Sequence, residues 1–430
     1  RLAIPATAAQ LVNALYSIVD RMYIGHMPGD GTLALSGIGL TFPITMLIAA
    51  FSCLPGMGGA PLASIALGEG NQKKAQKYLC NAITLLLAIS VVMMAVCLLF
   101  LEPLLVLFGA DAETLPYASQ YLTIYLFGTV FVEFALGLNP FINTQGHTVI
   151  GTMSVVIGAV VNIILDPILI FGVGSFPGMG IKGAALATGI GQMATVVLYV
   201  GIYIIRPISV KISICNLDFK SGTTKRLYAI GIPAILNMAL PSLLISSLNA
   251  ILAGFSESYV MVLGVYYKLQ TFIYLPSNGI IQGIRPLIGY NYGAGERKRV
   301  EQIYRLTLEL TAGIMAIGTA LCWLIPGGLI GLFTENPETV TIGITALHII
   351  SLGFILSAVS VTSSGALEAL GQGMASLVIS VMRYVAVIIP AAFVLSRLIG
   401  VTGVWWAFVC TESVTAMVAY VLYHRVWKRA

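Results

Sequence analysis

The stretch NIILDPILIFG, residues 162–172, places a carboxylate inside an apolar run. Asp166 has isoleucine and leucine on both sides and no basic residue nearer than Lys182. A charge at the centre of a membrane helix costs at least ~2.5–3.5 kcal/mol unless it faces protein or water. Asn162, four residues earlier, falls on the same helical face. The first apolar segment carries Gln10, Asn13, Ser17 and Asp20 at steps of three, four and three. That spacing makes a continuous polar stripe, which must face the interior of a bundle, with Tyr16 beside it. Thr188 lies in the close-packing sequence GIKGAALAT, residues 180–188. Two carboxylates, an amide and a hydroxyl therefore have the chemistry to hold a proton, or a sodium ion on oxygen ligands. Two such carboxylates away from bulk water cannot both ionise cheaply, so the pair is expected to be charged and discharged. Pro167 removes a backbone donor next to Asp166 and lets the helix bend with occupancy.

Other ionisable residues fall within apolar segments: Arg21 and Glu133 in the first half, and Lys268, Arg285, Arg383 and Glu412 in the second. Each is either a functional group or half of a structural ion pair. Asn13, Tyr16, Ser17, Glu133, Lys268, Arg285, Arg383 and Glu412 are the candidates for a substrate cavity. Arg383 can pair with Glu412, and Arg285 sits near enough to a helix end to snorkel. Lys268 lies deep in its segment, so its ammonium is expected to meet a wet cavity or a partner.

The elements that position these groups are membrane helices. Of 430 residues, 58% are hydrophobic and only 9% charged, against about 25% charged in soluble domains. Twelve segments approach or exceed the ~20 residues that cross a bilayer. They lie near 2–25, 33–66, 76–101, 115–143, 150–172, 181–205, 226–253, 260–291, 302–326, 338–366, 373–397 and 402–426, the second and eighth interrupted by Pro and Gly. Sixteen basic residues fall in the loops and termini on one side, Lys73, Lys211 and Arg297 among them. Only Lys182 and Arg397 fall on the other. That asymmetry predicts both termini in the cytoplasm of a multi-pass cell (inner) membrane protein. The net charge of +5 is thus a topology signal and calls for no nucleic-acid partner. Six scattered cysteines without CxxC spacing read as small buried hydrophobes, and no metal or disulfide framework is expected. The chain opens on Arg1 rather than Met, so a preceding segment is expected, and nothing at this start reads as a cleavable signal.

The chain repeats. PLASIALGEGNQKKAQ at 61–76 matches PLIGYNYGAGERKRVE at 286–301 with an offset of 225, which also pairs Gly146 with Gly371. Near the start the offset is 228, pairing Pro5 with Pro233; near the end it is 220, pairing Gly180 and Gly183 with Gly400 and Gly403. The expected fold is all-α and integral to the membrane. It has twelve helices in two six-helix lobes, 1–205 and 226–430, joined by a linker at 206–225. Six crossings return the chain to its starting side, so the lobes are parallel repeats, with the substrate path expected between them. The acidic pair is not duplicated: Asp20 aligns with Leu248, and Asp166 with the region of Ile389. A cation site is therefore expected in the first half alone.

YSIVDRMYIG at 16–25, NIILDPILIFG, GIKGAALAT and LIGYNYGAG at 287–295 together resemble the multidrug and toxic compound extrusion (MATE) family, along essentially the whole chain. The resemblance implies a cation-driven exporter with two six-helix lobes around a cavity. It assigns the proton or sodium site to Asp20, Asn162, Asp166 and Thr188. The segment YYKLQTFIYLPSNGIIQG at 266–283 looks like the branch found in many Gram-positive and anaerobic bacteria. No counterpart appears to the second-lobe acidic cation site of another branch; Lys268 and Arg285 stand there instead. The expected function is secondary efflux of small amphipathic compounds or drugs by antiport with H+ or Na+. No other cofactor is expected, and the protein is expected to act as a monomer in the bilayer. A lipid-linked saccharide or lipid flippase of the same superfamily is the alternative, resting on Lys268, Arg285 and Arg383. Catalysis is not expected: His26, His147, His348 and His424 are isolated, and no Walker A motif offers ATP as the energy source.

Overall fold

The computed structural model describes residues 3–27, 31–173, 176–205, 210–211, 222–334 and 336–429. Of the sites singled out above, the side chains of Gln10 and Asn13 lie outside the described residues, as does most of the 206–225 linker. The chain is almost wholly helical. In order it forms α1 (Ala3–Gly25), α2 (Gly31–Gly68), α3 (Gln72–Leu99), short α4 (Leu101–Leu107), α5 (Leu115–Thr144), α6 (Thr148–Phe171) and α7 (Ile181–Ile205). Then follow α8 (Thr223–Ala253), α9 (Glu257–Gly293), α10 (Arg297–Leu324), short α11 (Pro326–Gly331), α12 (Pro337–Ser351) and α13 (Phe354–Ala369). Last come α14 (Gly373–Val381), a π-helical turn at Met382–Ala386, α15 (Ile388–Ile399) and α16 (Thr402–Arg429). A two-residue antiparallel hairpin, β1 (Gly172–Val173) with β2 (Phe176–Pro177), joins α6 to α7.

Among the described residues nine helices are long and apolar enough to cross a membrane. The pair α12 and α13, bent by 54°, makes a tenth. Helices α1 and α9 complete the twelve crossings read from the sequence, and they are the two whose polar side chains dilute their hydropathy. The prolines of α2 and α9 do not break them. Pro43, Pro55 and Pro61 stand inside one 38-residue helix, and Pro276 and Pro286 inside one of 37 residues. In hydrocarbon a freed carbonyl has no water to turn to, so the helix on either side of a proline holds.

Two compact units divide the chain, Arg1–Gly231 and Ile232–Ala430, so the first two turns of α8 pack with the first unit. There α8 meets α2 backbone to backbone: a Cβ on Gly231 would strike the Leu54 carbonyl, and one on Gly58 the Leu227 carbonyl. The two described linker residues are tied to the same unit. Val210 N–H donates to Gln145 Oε1 at 2.9 Å and Gln76 Nε2 donates to the Lys211 carbonyl at 2.7 Å.

The repeat is visible inside each unit. Short α4 recurs as α11 at the 225 offset. The turns after α2 and α9 each hold a left-handed glycine, Gly70 at φ 72° and Gly295 at φ 76°, and those after α5 and α13 hold Gly146 at 81° and Gly371 at 76°. An L side chain is strained at such angles, which is why glycine stands at both copies.

Candidate cation site in the first unit

Helix α6 presents Asn162 and Asp166 one turn apart on a buried face, 2% and 0% exposed. Glycines bring α7 against it. A Cβ on Gly191 would stand 2.7 Å from the Gly158 carbonyl, and one on Gly183 would strike the Leu169 carbonyl. This close approach carries Thr188, 6% exposed, to within 3.5 Å of Asn162 Nδ2. The same amide nitrogen donates to Asp166 Oδ1 at 3.2 Å. Helix α1 supplies Asp20, 9% exposed, with its carboxyl in hydrogen-bonding reach of Asp166. The four residues with cation-site chemistry in the sequence therefore converge from α1, α6 and α7.

Their hydrogen bonding is incomplete in a telling way. Asp20 Oδ1, Asp166 Oδ2 and Asn162 Oδ1 are buried acceptors with no donor among the described residues. Two ionised carboxylates cannot bond each other, so the contact between them needs a proton or a cation. Neither acid lies in an ion pair among the described residues. Arg21, next in sequence to Asp20, is exposed and lies over the Phe42 ring, 5.9 Å from its centroid. Burying carboxylates without a partner is expensive, and proteins keep such groups where occupancy changes. Carboxylate, amide and hydroxyl oxygens are also the hard donor set that suits Na+.

Tyrosines stand beside the pair, and of these the sequence pattern marked only Tyr16. Buried Tyr121 of α5 is hydrogen-bonded to Thr188 and stacks on Tyr125, centroids 6.1 Å apart. A tyrosine within an apolar span looks like core, so no pattern distinguished it. Tyr16, half-buried on α1, stands close to both acids, and Ser17 is exposed. Ile24, Tyr121, Ile170, Ile181, Ala184 and Ala185 pack an apolar cluster at the end of the unit where α1 and α6 finish and α7 begins. Glu133 does not join the site. It is fully buried on α5, and neither carboxyl oxygen has a partner among the described residues.

The second unit treats its charges differently. Arg383, in the π-helical turn, donates from Nε to Glu412 Oε1 at 2.8 Å and from Nη2 to the Tyr274 hydroxyl at 3.4 Å. Ser360 donates to the other Glu412 oxygen at 3.4 Å, so the pair expected from sequence is present and well bonded. Arg285 does not snorkel. It pairs with Glu368 of α13, whose Oε1 also accepts from Asn237 at 3.1 Å and Ser376 at 2.8 Å. The sequence reading placed Glu368 beyond its span, which hid this partner. Lys268 has no acid within 4.0 Å among the described residues, and its Nζ lies 5.6 Å from the Phe333 ring centroid.

A family model described as MatE matches two segments, residues 5–168 and 233–394. The segments begin at Pro5 and Pro233, the pair aligned by the internal repeat. The chain belongs to the MatE family. Among curated relatives, the multidrug export protein MepA of Staphylococcus haemolyticus (strain JCSC1435) is 27% identical over 427 residues, covering 99% of this chain and 93% of that protein. MepA of Staphylococcus aureus (strain NCTC 8325 / PS 47) is 27% identical over 425 residues, covering 98% and 91%. Among solved structures, a MATE protein in the bent conformation superposes with a TM-score of 0.92 at 23% identity, covering all of this chain and 94% of that one. A MOP superfamily transporter from Pyrococcus furiosus, described as having a binding pocket of reversed polarity, gives 0.89 at 22% identity, with 100% and 95% covered. The fold is accordingly the two-lobe, twelve-helix membrane fold, and the MatE match agrees with two copies of one scaffold.

Proposed function

We propose that this MatE-family protein is a secondary active exporter of small amphipathic compounds, driven by inward movement of H+ or Na+ through the first unit. The buried carboxyl pair of Asp20 and Asp166, where one oxygen of each acid and that of Asn162 lack donors among the described residues, carries this reading. A proton shared by the two acids, or Na+ on Asp20, Asp166, the Asn162 carbonyl oxygen and Thr188, supplies the missing partner. Loading and unloading then change the net charge held between α1 and α6. A transporter couples the two events when cation and substrate favour opposite conformations of an alternating-access cycle. The MepA relatives, described as multidrug export proteins, support the substrate class. The basic loop distribution supports cytoplasmic termini and a cell-membrane location. Of the three basic residues behind the flippase alternative, two are bonded to glutamates, which weakens it.

The test is dye accumulation in proteoliposomes under an imposed pH gradient, a sodium gradient, or neither. Accumulation that requires one gradient and disappears in Asp166→Asn is the expected result. Transport indifferent to both gradients would overturn the coupling.

A further inference from the structure

Helix α9 carries a polar row along one face of the second unit. Lys268, Thr271, Asn278, Gln282 and Arg285 recur at steps of three, seven, four and three, which keeps them on a single helical face. The first four are exposed and Arg285 is half-buried. Lipid does not tolerate such a face, since unbonded amides and an ammonium in hydrocarbon each cost several kcal/mol, so the face is wet. The scaffold does not require the row. At the 225 offset, α2 has Pro43, Met46, Cys53, Met57 and Ala60 in these five places.

The charge of this face comes down to one group. Arg285 is neutralised by Glu368, and away from the row Arg383 is neutralised by Glu412. The Thr271 hydroxyl is spent on the Tyr267 carbonyl at 2.9 Å. The Asn278 and Gln282 amides bond no protein group among the described residues. Lys268 keeps an exposed ammonium beside the Phe333 ring, with no acid within 4.0 Å among the described residues. A cation next to an aromatic ring, with free amides along the same wall, suits an amphiphile that carries an anionic group.

We propose that this face of α9 binds substrate and that Lys268 selects compounds bearing a carboxylate or sulfonate. The selection rests on the export reading but is measured separately from it. The probes are rhodamine B, which has a free carboxylate, and its methyl ester, which lacks it. Binding is read by equilibrium dialysis against the full chain in lipid nanodiscs, which needs no gradient. A charge-assisted bond to Lys268 should make the free acid bind about tenfold tighter than the ester. Lys268→Gln should erase that difference while leaving ester affinity within about twofold. Lys268→Arg should preserve it, which separates the effect from loss of fold. Equal affinity of the wild type for both dyes, equal weakening of both by Lys268→Gln, or no binding of either would overturn the proposal. Failure of the export reading appears elsewhere, as dye transport indifferent to imposed gradients.

Discussion

The two units answer one structural question with opposite chemistry. Where the first buries Asp20 and Asp166, the second has Leu248, 0% exposed, in an apolar cluster with Val262, Leu263 and Tyr266, and the region of Ile389, which packs against that cluster. Hydrocarbon packing therefore holds the matching region of the second unit without an acid. The acids that the second unit does not expose, half-buried Glu368 and buried Glu412 among the described residues, are each bonded to an arginine. Those of the first unit, Asp20, Asp166 and Glu133, have no such partner among the described residues. The two copies share a frame and differ in how their charges are bonded.

The comparison can be broken by giving the first unit the second unit's residues. Asp20→Leu with Asp166→Ile should abolish gradient-driven transport, yet raise thermal stability in detergent by about 1–4 kcal/mol, because apolar replacement of buried charges stabilises. Loss of folded protein would mean that the acids are architectural. The reverse holds in the second unit. Glu412→Gln strands the Arg383 charge and should cost about 3–5 kcal/mol in the same melt, whereas Arg383→Leu with Glu412→Leu should recover most of it. Gly191→Ala comes next in size. Its methyl meets the Gly158 carbonyl, so α6 and α7 must part, with a loss of about 1–3 kcal/mol and weakened coupling measured as the accumulation ratio.

The smallest effect is expected outside the membrane. Asp111 accepts from Thr114 N–H at 2.9 Å, Thr114 Oγ1 at 2.7 Å and Glu113 N–H at 3.1 Å, bonds that hold its carboxyl below the usual carboxylate range. With its folded value lowered, its contribution is complete at neutral pH and fades as pH falls through and below that range. Asp111→Ala should slightly lower thermal stability at neutral pH, remove that acid dependence, and leave transport unchanged.

Much of this was legible in the sequence. Asn162 and Asp166 announce a shared face by their spacing of four, Asp20 by its stripe, and the repeat by its turn glycines. Arg383 and Glu412 sit in consecutive crossings, which made their pairing readable. Glu368 meets Arg285 from 83 positions away, a tertiary fact that no local period encodes. Tyr121 was hidden because a buried tyrosine has the same spacing whether it packs a core or bonds Thr188. Hydropathy alone undercounts the crossings at α1 and α9, where polar side chains lower it.

The central claim, that the acid pair of the first unit couples transport, separates two measurements on one mutant. In Asp166→Asn proteoliposomes, exchange of labelled for unlabelled dye without a gradient should persist, while accumulation under an imposed gradient should vanish. Asp20→Asn should match it, and the double mutant should be no worse, since the pair acts as one unit. Wild-type accumulation in Asp166→Asn would contradict the account.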